Sequence, residues 1–445
     1  MQRVVSTWWP LALSWLLMAA EAPALSAVVA RLANPEIHLA AFSGIVYPLA
    51  LIIEAPVMML LPASTALSKD WDSYRKVERF MMWMGAILTA AHAVVAFTPL
   101  YDLIIVQLIR APAEIVEPGR TGLMITVLWT WAIGYRRFKQ GVLIRFGHSR
   151  AVGLGTLVRL SAVGIVLVVG YTVGTIPGIV VASAGLLAGV TCEAIYAGLR
   201  ARPVIRNELK SAPPVEEPLT FQAFVAFYFP LAMTSVIALL AEPLKSAALS
   251  RMPRALDSLA VWTIVTGFVF LLRSFGMGYN EVVIALLDEP RSVSTLRRFM
   301  IILTWVVSVL LLVVAATPLA MAWFEGVSGL RTELAVFSRG ALWVSLLMPG
   351  LTVLQSWYQG LIVHSRRTRG ITEAVVVYLL SSGVVLVGGV VWGDVAGLYV
   401  GLAALSVGRL LQTVWLWYRS RPAVEDVEAR DRALGAPHRA DAAAL

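Results

Sequence analysis

Twelve stretches of this chain are apolar for long enough to cross a bilayer as helices, and that succession constrains the fold more than any other feature. At about 1.5 Å per residue, roughly 30 Å of hydrocarbon takes about 20 residues. Such segments run at about residues 8–32, 37–67, 77–98, 121–144, 151–171 and 176–199, then 224–250, 256–287, 297–324, 333–363, 371–392 and 394–418. Only 14% of the 445 residues are charged, against about 25% in soluble domains, so the chain lacks the polar surface to solvate a globule of this size. The expected fold class is therefore an all-α membrane protein with twelve transmembrane helices. Cys192 is the single cysteine, which excludes a disulfide framework and a cysteine-based metal site.

An even number of spans places both termini on one face. The loops of that face hold most of the basic residues, among them Lys69, Arg75, Arg136, Arg137, Lys139, Arg145, Arg200, Arg206, Arg291, Arg297, Arg366, Arg367, Arg369 and Arg419. The opposite loops hold few, notably Arg31, Arg110, Arg120, Arg251, Arg254, Arg331 and Arg339. The positive-inside rule then makes the terminal face cytoplasmic, in a plasma (inner) membrane. The net charge of +9 reads as topology and not as nucleic-acid recognition. The first span is full length and lacks a small-residue cleavage site, so it is expected to stay as a helix. Residues 200–220, with Pro213, Pro214, Glu216, Glu217 and Pro218, read as a cytosolic linker, and 420–445 as a disordered tail. That leaves two six-span lobes, 1–199 and 221–419, in a chain expected to act as a monomer.

The lobes are repeats. A shift of 220 lays Pro10 on Pro230, Pro23 on Pro243, Ser26 on Ser246 and Arg31 on Arg251. A shift of 219 lays Arg79 and Phe80 on Arg298 and Phe299, Thr98 to Leu100 on Thr317 to Leu319, and Gln140 and Gly141 on Gln359 and Gly360. Six spans per repeat give both halves the same orientation, an arrangement in which two like bundles can rock about a shared site.

Ionisable side chains within spans cost about 2.5–3.5 kcal/mol each and need a partner, water or a purpose. Glu21, Glu54, Glu242, Lys245, Arg273 and Glu281 are the candidate substrate- or ion-binding residues of a central cavity. The shift of 219 carries Glu54 onto Arg273, so these two are expected to face each other across the pseudo-symmetry axis, and Glu242 and Lys245 to share a helix face. Arg159 with Glu193, and Glu373 with Arg409, are expected as structural ion pairs, one in each half. His92 reads as a satisfied interior histidine, and Trp8, Trp9, Trp415 and Trp417 as interface anchors. No nucleotide-binding glycine loop, no His-Glu-x-x-His pair and no nucleophile with a base is found, so neither an enzyme, a metal nor a cofactor is expected.

The Trp9-Pro10 opening echoed by Phe229-Pro230, with acids in spans 1 and 7 of two parallel six-helix repeats, resembles the multidrug and toxic compound extrusion (MATE) group and its wider flippase superfamily. Within it, the stretch from Trp9 through Glu21 to Arg31, the Ser68-Lys69-Asp70 loop and Gly141-Val142-Leu143-Ile144 look most like the progressive ankylosis family. The resemblance implies a V-shaped pair of lobes around a central cavity. MATE relatives exchange organic cations for protons or sodium through buried acids, whereas ankylosis-type relatives export organic anions such as citrate and nucleotides. Lys245 and Arg273 depart from a purely acidic cavity and favour an anionic or zwitterionic small-molecule substrate. The major facilitator architecture is the rival, but the loop from Lys69 to Phe80 lacks the glycines of its signature. The reading is a secondary exporter coupled to protons or sodium, with a lipid-linked precursor flippase or a cation-type drug antiporter as alternatives.

Overall fold

The computed structural model describes residues 1–216, 218–287, 292–365 and 369–435. Glu217, Arg291, Arg366, Arg367 and the tail from 436 to 445 lie outside the described residues. Twelve long helices occur in order: α1 (Gln2–Val29), α2 (Pro35–Leu67), α3 (Trp71–Phe97), α4 (113–145), α5 (Arg150–Val173), α6 (Gly178–Leu209), α7 (Phe221–Leu249), α8 (Ala255–Ile284), α9 (Ser292–Ala316), α10 (Thr332–Val363), α11 (Arg369–Trp392) and α12 (Gly397–Gly435). Ten are long and apolar enough to cross a membrane. The other two are α4, which carries Arg136, Arg137 and Lys139, and α7, with 29 residues. Among the described residues every regular element is a helix.

Proline and capping chemistry sets the local form. In α2 the regular helix stops at Glu54, because Pro56 has no amide to donate, and Ala55–Met59 tighten into a 3-10 turn. Asp70 starts α3 by accepting from the Ser73 amide at 3.0 Å, and its second oxygen accepts from the Val215 amide at 3.3 Å. That one carboxylate therefore also ties the connection between the halves to the N-terminal half. Residues 420–435, expected as tail, continue α12 as helix, and Val424 and Val427 pack on the core around Tyr279 and Phe299. Apolar residues at helical spacing on one face give this segment a surface to bury, which a disordered tail lacks.

The halves meet through α1 and α2 on one side and α7 and α8 on the other. The start of each repeat leans into the opposite half. Trp8 of α1 sits 5.4 Å from the Phe299 ring and donates its indole N–H to the Phe275 carbonyl at 2.8 Å. It is a bolt between helices, not the bilayer-interface anchor expected. In the mirror position, Phe224 and Tyr228 of α7 pack on Phe80 at 4.6 and 4.9 Å. Gly278 permits the α1–α8 approach, since a Cβ there would lie 3.0 Å from the Ala12 amide nitrogen.

Candidate functional site

At the face opposite the termini, the halves are latched by a matched pair of arginines. The guanidinium of Arg31 donates to Ala27 O in its own helix at 2.6 Å and to Gly326 O in the other half. Arg251, its repeat mate, donates to Ala247 O at 2.9 Å and to Leu108 O across the interface. Each thus cations the exposed carbonyls at the end of a short helix, Leu100–Ile109 or Ala322–Val327, where the helix dipole is negative. Gly329, at φ +72°, lets the loop curl round Arg31: a Cβ would meet the guanidinium at 3.0 Å. An Arg331–Glu36 ion pair adds a third link between the halves.

Deeper in the bundle, the N-terminal half holds a network of charges. Arg159 of α5 pairs with Glu21 of α1 at 2.9 Å, and Arg136 of α4 pairs with Glu193 of α6, whose other oxygen accepts from Gln140 at 3.0 Å. The expected Arg159–Glu193 pair does not form, because Arg136 reaches Glu193 from the adjoining helix. Arg136, Arg137 and Lys139, expected in a loop of the terminal face, lie inside the bundle, because α4 continues to Arg145 and carries all three. Lys139 is held there by Glu78 at 2.8 Å and the Tyr74 hydroxyl at 2.6 Å. Their place was legible in the unbroken helical run to Arg145.

Glu54 is 2% exposed, at the carbonyl end of a helical segment where a negative charge is disfavoured. Arg137, Arg136 and Arg159 supply the compensating charge around it, and its Oε2 has no hydrogen-bond partner. Tyr47 is the residue that sequence reasoning missed. It lies within electrostatic reach of Glu242, Glu54, Arg159 and Glu21, and keeps 38% of its surface open although it sits mid-helix in the bundle. Glu242 and Lys245 share a helix face as expected, 2.7 Å apart, with the ammonium 4.9 Å over the Trp262 ring.

The C-terminal half is built differently. Arg273 does not face Glu54; its Nε donates to Thr352 at 2.9 Å, and it lies within electrostatic reach of Arg409. Nor does Arg409 pair with Glu373. It donates to Gln355 at 3.2 Å and lies 5.4 Å over the Tyr378 ring. Glu373 instead accepts from Arg369 at 3.1 Å, Arg419 at 3.0 Å and the Trp415 indole at 3.2 Å, at the terminal end of α11. Trp415 is thus a hydrogen-bond donor to a carboxylate as well as an aromatic near a helix end. Glu281 falls near the terminal end of α8, exposed and beside Trp15, and not at mid-depth with the other charges. His92 is fully buried with Nε2 3.1 Å from Leu123 O.

Two parallel six-helix halves with ionisable groups between and within them define a polytopic membrane fold. Comparison of sequence alone returns no matching family and no matching curated relative. Comparison of structure returns transporters. An inward-facing multidrug resistance MATE family transporter of the MOP superfamily superposes with a TM-score of 0.71 at 12% identity, over 94% of this chain and 98% of that one. The lipid II flippase MurJ in an inward closed conformation gives 0.67 at 15%, over 95% and 89%. A MOP superfamily transporter from Pyrococcus furiosus, described by a reverse polarity of its binding pocket, gives 0.58 at 13%, over 96% of each chain. The chain shares the fold of these MATE-like proteins. The narrower likeness to the progressive ankylosis group gains no support from these neighbours.

Proposed function

We propose that the protein is a secondary transporter that moves a small charged solute out of the cytoplasm by alternating access between its two lobes. The observation that carries this reading is the combination of a repeat-matched pair of latches at one face with a layer of charge at mid-depth. Latches that only tie carbonyls to guanidinium groups are cheap to break, and a buried charged layer is costly unless a ligand or ion uses it. With the terminal face cytoplasmic, the latched face is the outer one. Glu21, Glu54 and Glu242 are the candidate sites for a coupling proton or sodium ion. Glu54 is the strongest of them, because it has an unpartnered carboxylate oxygen and no direct ion pair among the described residues.

The test is mass spectrometry of the medium around cells expressing the wild type or Glu54→Gln at matched levels. A metabolite that accumulates outside with the wild type alone supports export through this site. Equal media from both proteins and from empty cells would remove metabolite export from consideration. A second reading, a flippase for lipid-linked precursors, is favoured by the likeness to MurJ over nearly the whole chain. It predicts no soluble metabolite but a change in the sidedness of a polyprenyl-linked substrate.

A further inference from the structure

The repeat exposes an asymmetry of charge. The shift of 219 that relates the halves carries Glu54 to Arg273, Glu193 to Gln412, Arg136 to Gln355 and Arg159 to Tyr378. In the N-terminal half Arg136 pairs with Glu193 and Arg159 with Glu21. In the C-terminal half the same frame is held by neutral hydrogen bonds: Gln355 Nε2 donates to Gln412 at 3.3 Å, to Thr413 at 3.0 Å and to the Arg409 carbonyl at 3.1 Å. Both carboxylates of the frame are gone, while a second arginine, Arg409, has been added where the first half has Val190.

Two guanidinium groups are thereby left, among the described residues, without a carboxylate. Arg273 donates its Nε to Thr352, and among the described residues its two Nη groups have no hydrogen-bond acceptor. Arg409 spends one Nη on Gln355, and its buried Nε has no acceptor among the described residues. Both side chains are half-buried, lie near enough to feel each other's charge, and rest against aromatic rings, Phe270 at 5.9 Å and Tyr378 at 5.4 Å. Like charges brought together at membrane depth oppose folding unless a counter-ion arrives. A frame that needed only structural support had a cheaper solution in its own first half. Open guanidinium forks over aromatic platforms match the planar, bidentate recognition of oxyanions.

We infer that Arg273 and Arg409, with Thr352, Gln355 and Tyr378, form an anion subsite that receives a multiply charged oxyanion group of the phosphate or pyrophosphate type. The inference rests on the transporter reading and names the chemistry of its cargo: the subsite holds the negative pole of the solute while the acids of the N-terminal half remain available for a cation. A free anion and the headgroup of a polyprenyl lipid share this chemistry.

The purified full-length protein is titrated with inorganic pyrophosphate and, separately, with farnesyl pyrophosphate, in the wild type, Arg273→Gln, Arg409→Gln and the tail-face control Arg421→Gln. Binding is expected in the wild type and control, with about a ten- to hundredfold loss of affinity in each site variant, the scale of one charge-assisted hydrogen bond. Similar affinities for the two probes assign the subsite to soluble anions, and a marked preference for the farnesyl compound assigns it to lipid. The unliganded site variants are expected to melt no lower than the wild type, because each removes an uncompensated buried charge. A drop in melting temperature with pyrophosphate affinity unchanged would show the arginines to be structural, and failure of either probe to bind the wild type would overturn the inference. Either failure leaves the export assay with Glu54→Gln free to succeed, so the two readings fall separately.

Discussion

Removal of the two arginine latches should open the face opposite the termini by a calculable amount. Arg31 and Arg251 each make one bond across the interface, to Gly326 O and Leu108 O, and both side chains are exposed. A shielded hydrogen bond to a charged group contributes about 1.5–3 kcal/mol, but exposure and screening reduce such contacts to about 0.5–1 kcal/mol. The two latches share no partner, so their effects add to about 1–2 kcal/mol, or about a five- to thirtyfold change in the ratio of closed to open molecules. The assay is double electron–electron resonance between spin labels at Glu114→Cys and Glu333→Cys, exposed positions on opposite halves, in a Cys192→Ser background. Arg31→Ala and Arg251→Ala should each raise the long-distance population by a similar factor, because the repeat makes them equivalent, and the double variant should multiply the two. High salt should mimic part of the effect. Distance distributions identical to the wild type in the double variant would refute the latch argument and move closure of this face to apolar packing and the Arg331–Glu36 pair.

Two further outcomes follow from polar groups elsewhere. Breaking the Arg136–Glu193 pair by Glu193→Gln should cost about 3–5 kcal/mol in stability, because it leaves a buried guanidinium uncompensated. Adding Arg136→Gln should recover most of that loss by copying the Gln355–Gln412 contact of the other half, and a double variant that melts as low as the single would show the repeat frame is not interchangeable. At the terminal face, burial raises the Asp70 carboxyl, but hydrogen bonds from Ser73 and the Val215 amide outweigh it and hold the group below the usual carboxylate range. Its capping stability is therefore full above an unfolded value of about 4 and is lost as pH falls through the lower folded value. Asp70→Ala should cost about 1 kcal/mol near neutrality, with the gap to wild type closing on acidification, as thermal melts across pH would show.

The number of helices and the repeat were legible in the sequence, because both rest on local properties. Apolar length sets whether a segment can cross a membrane, and the order of prolines and arginines survives at a constant offset whatever the helices do in space. The shift of 220 marks Arg31 and Arg251 as repeat mates from the sequence alone. Partner choice was not legible. Arg159 chose Glu21 on α1 and left Glu193 to Arg136, and Arg273 turned to Thr352 and not to Glu54. An arginine side chain reaches several ångströms in any direction, so helix rotation and crossing decide which of several acids it meets, and a depth count along one helix carries neither quantity. The charge asymmetry between the halves shows the division most plainly. The residues Glu193, Gln412, Arg136 and Gln355 stand in the sequence for anyone to align. Only packing shows that they occupy the same joint, salt-bridged in one half and neutral in the other, because the joint exists only once α4 meets α6 and α10 meets α12.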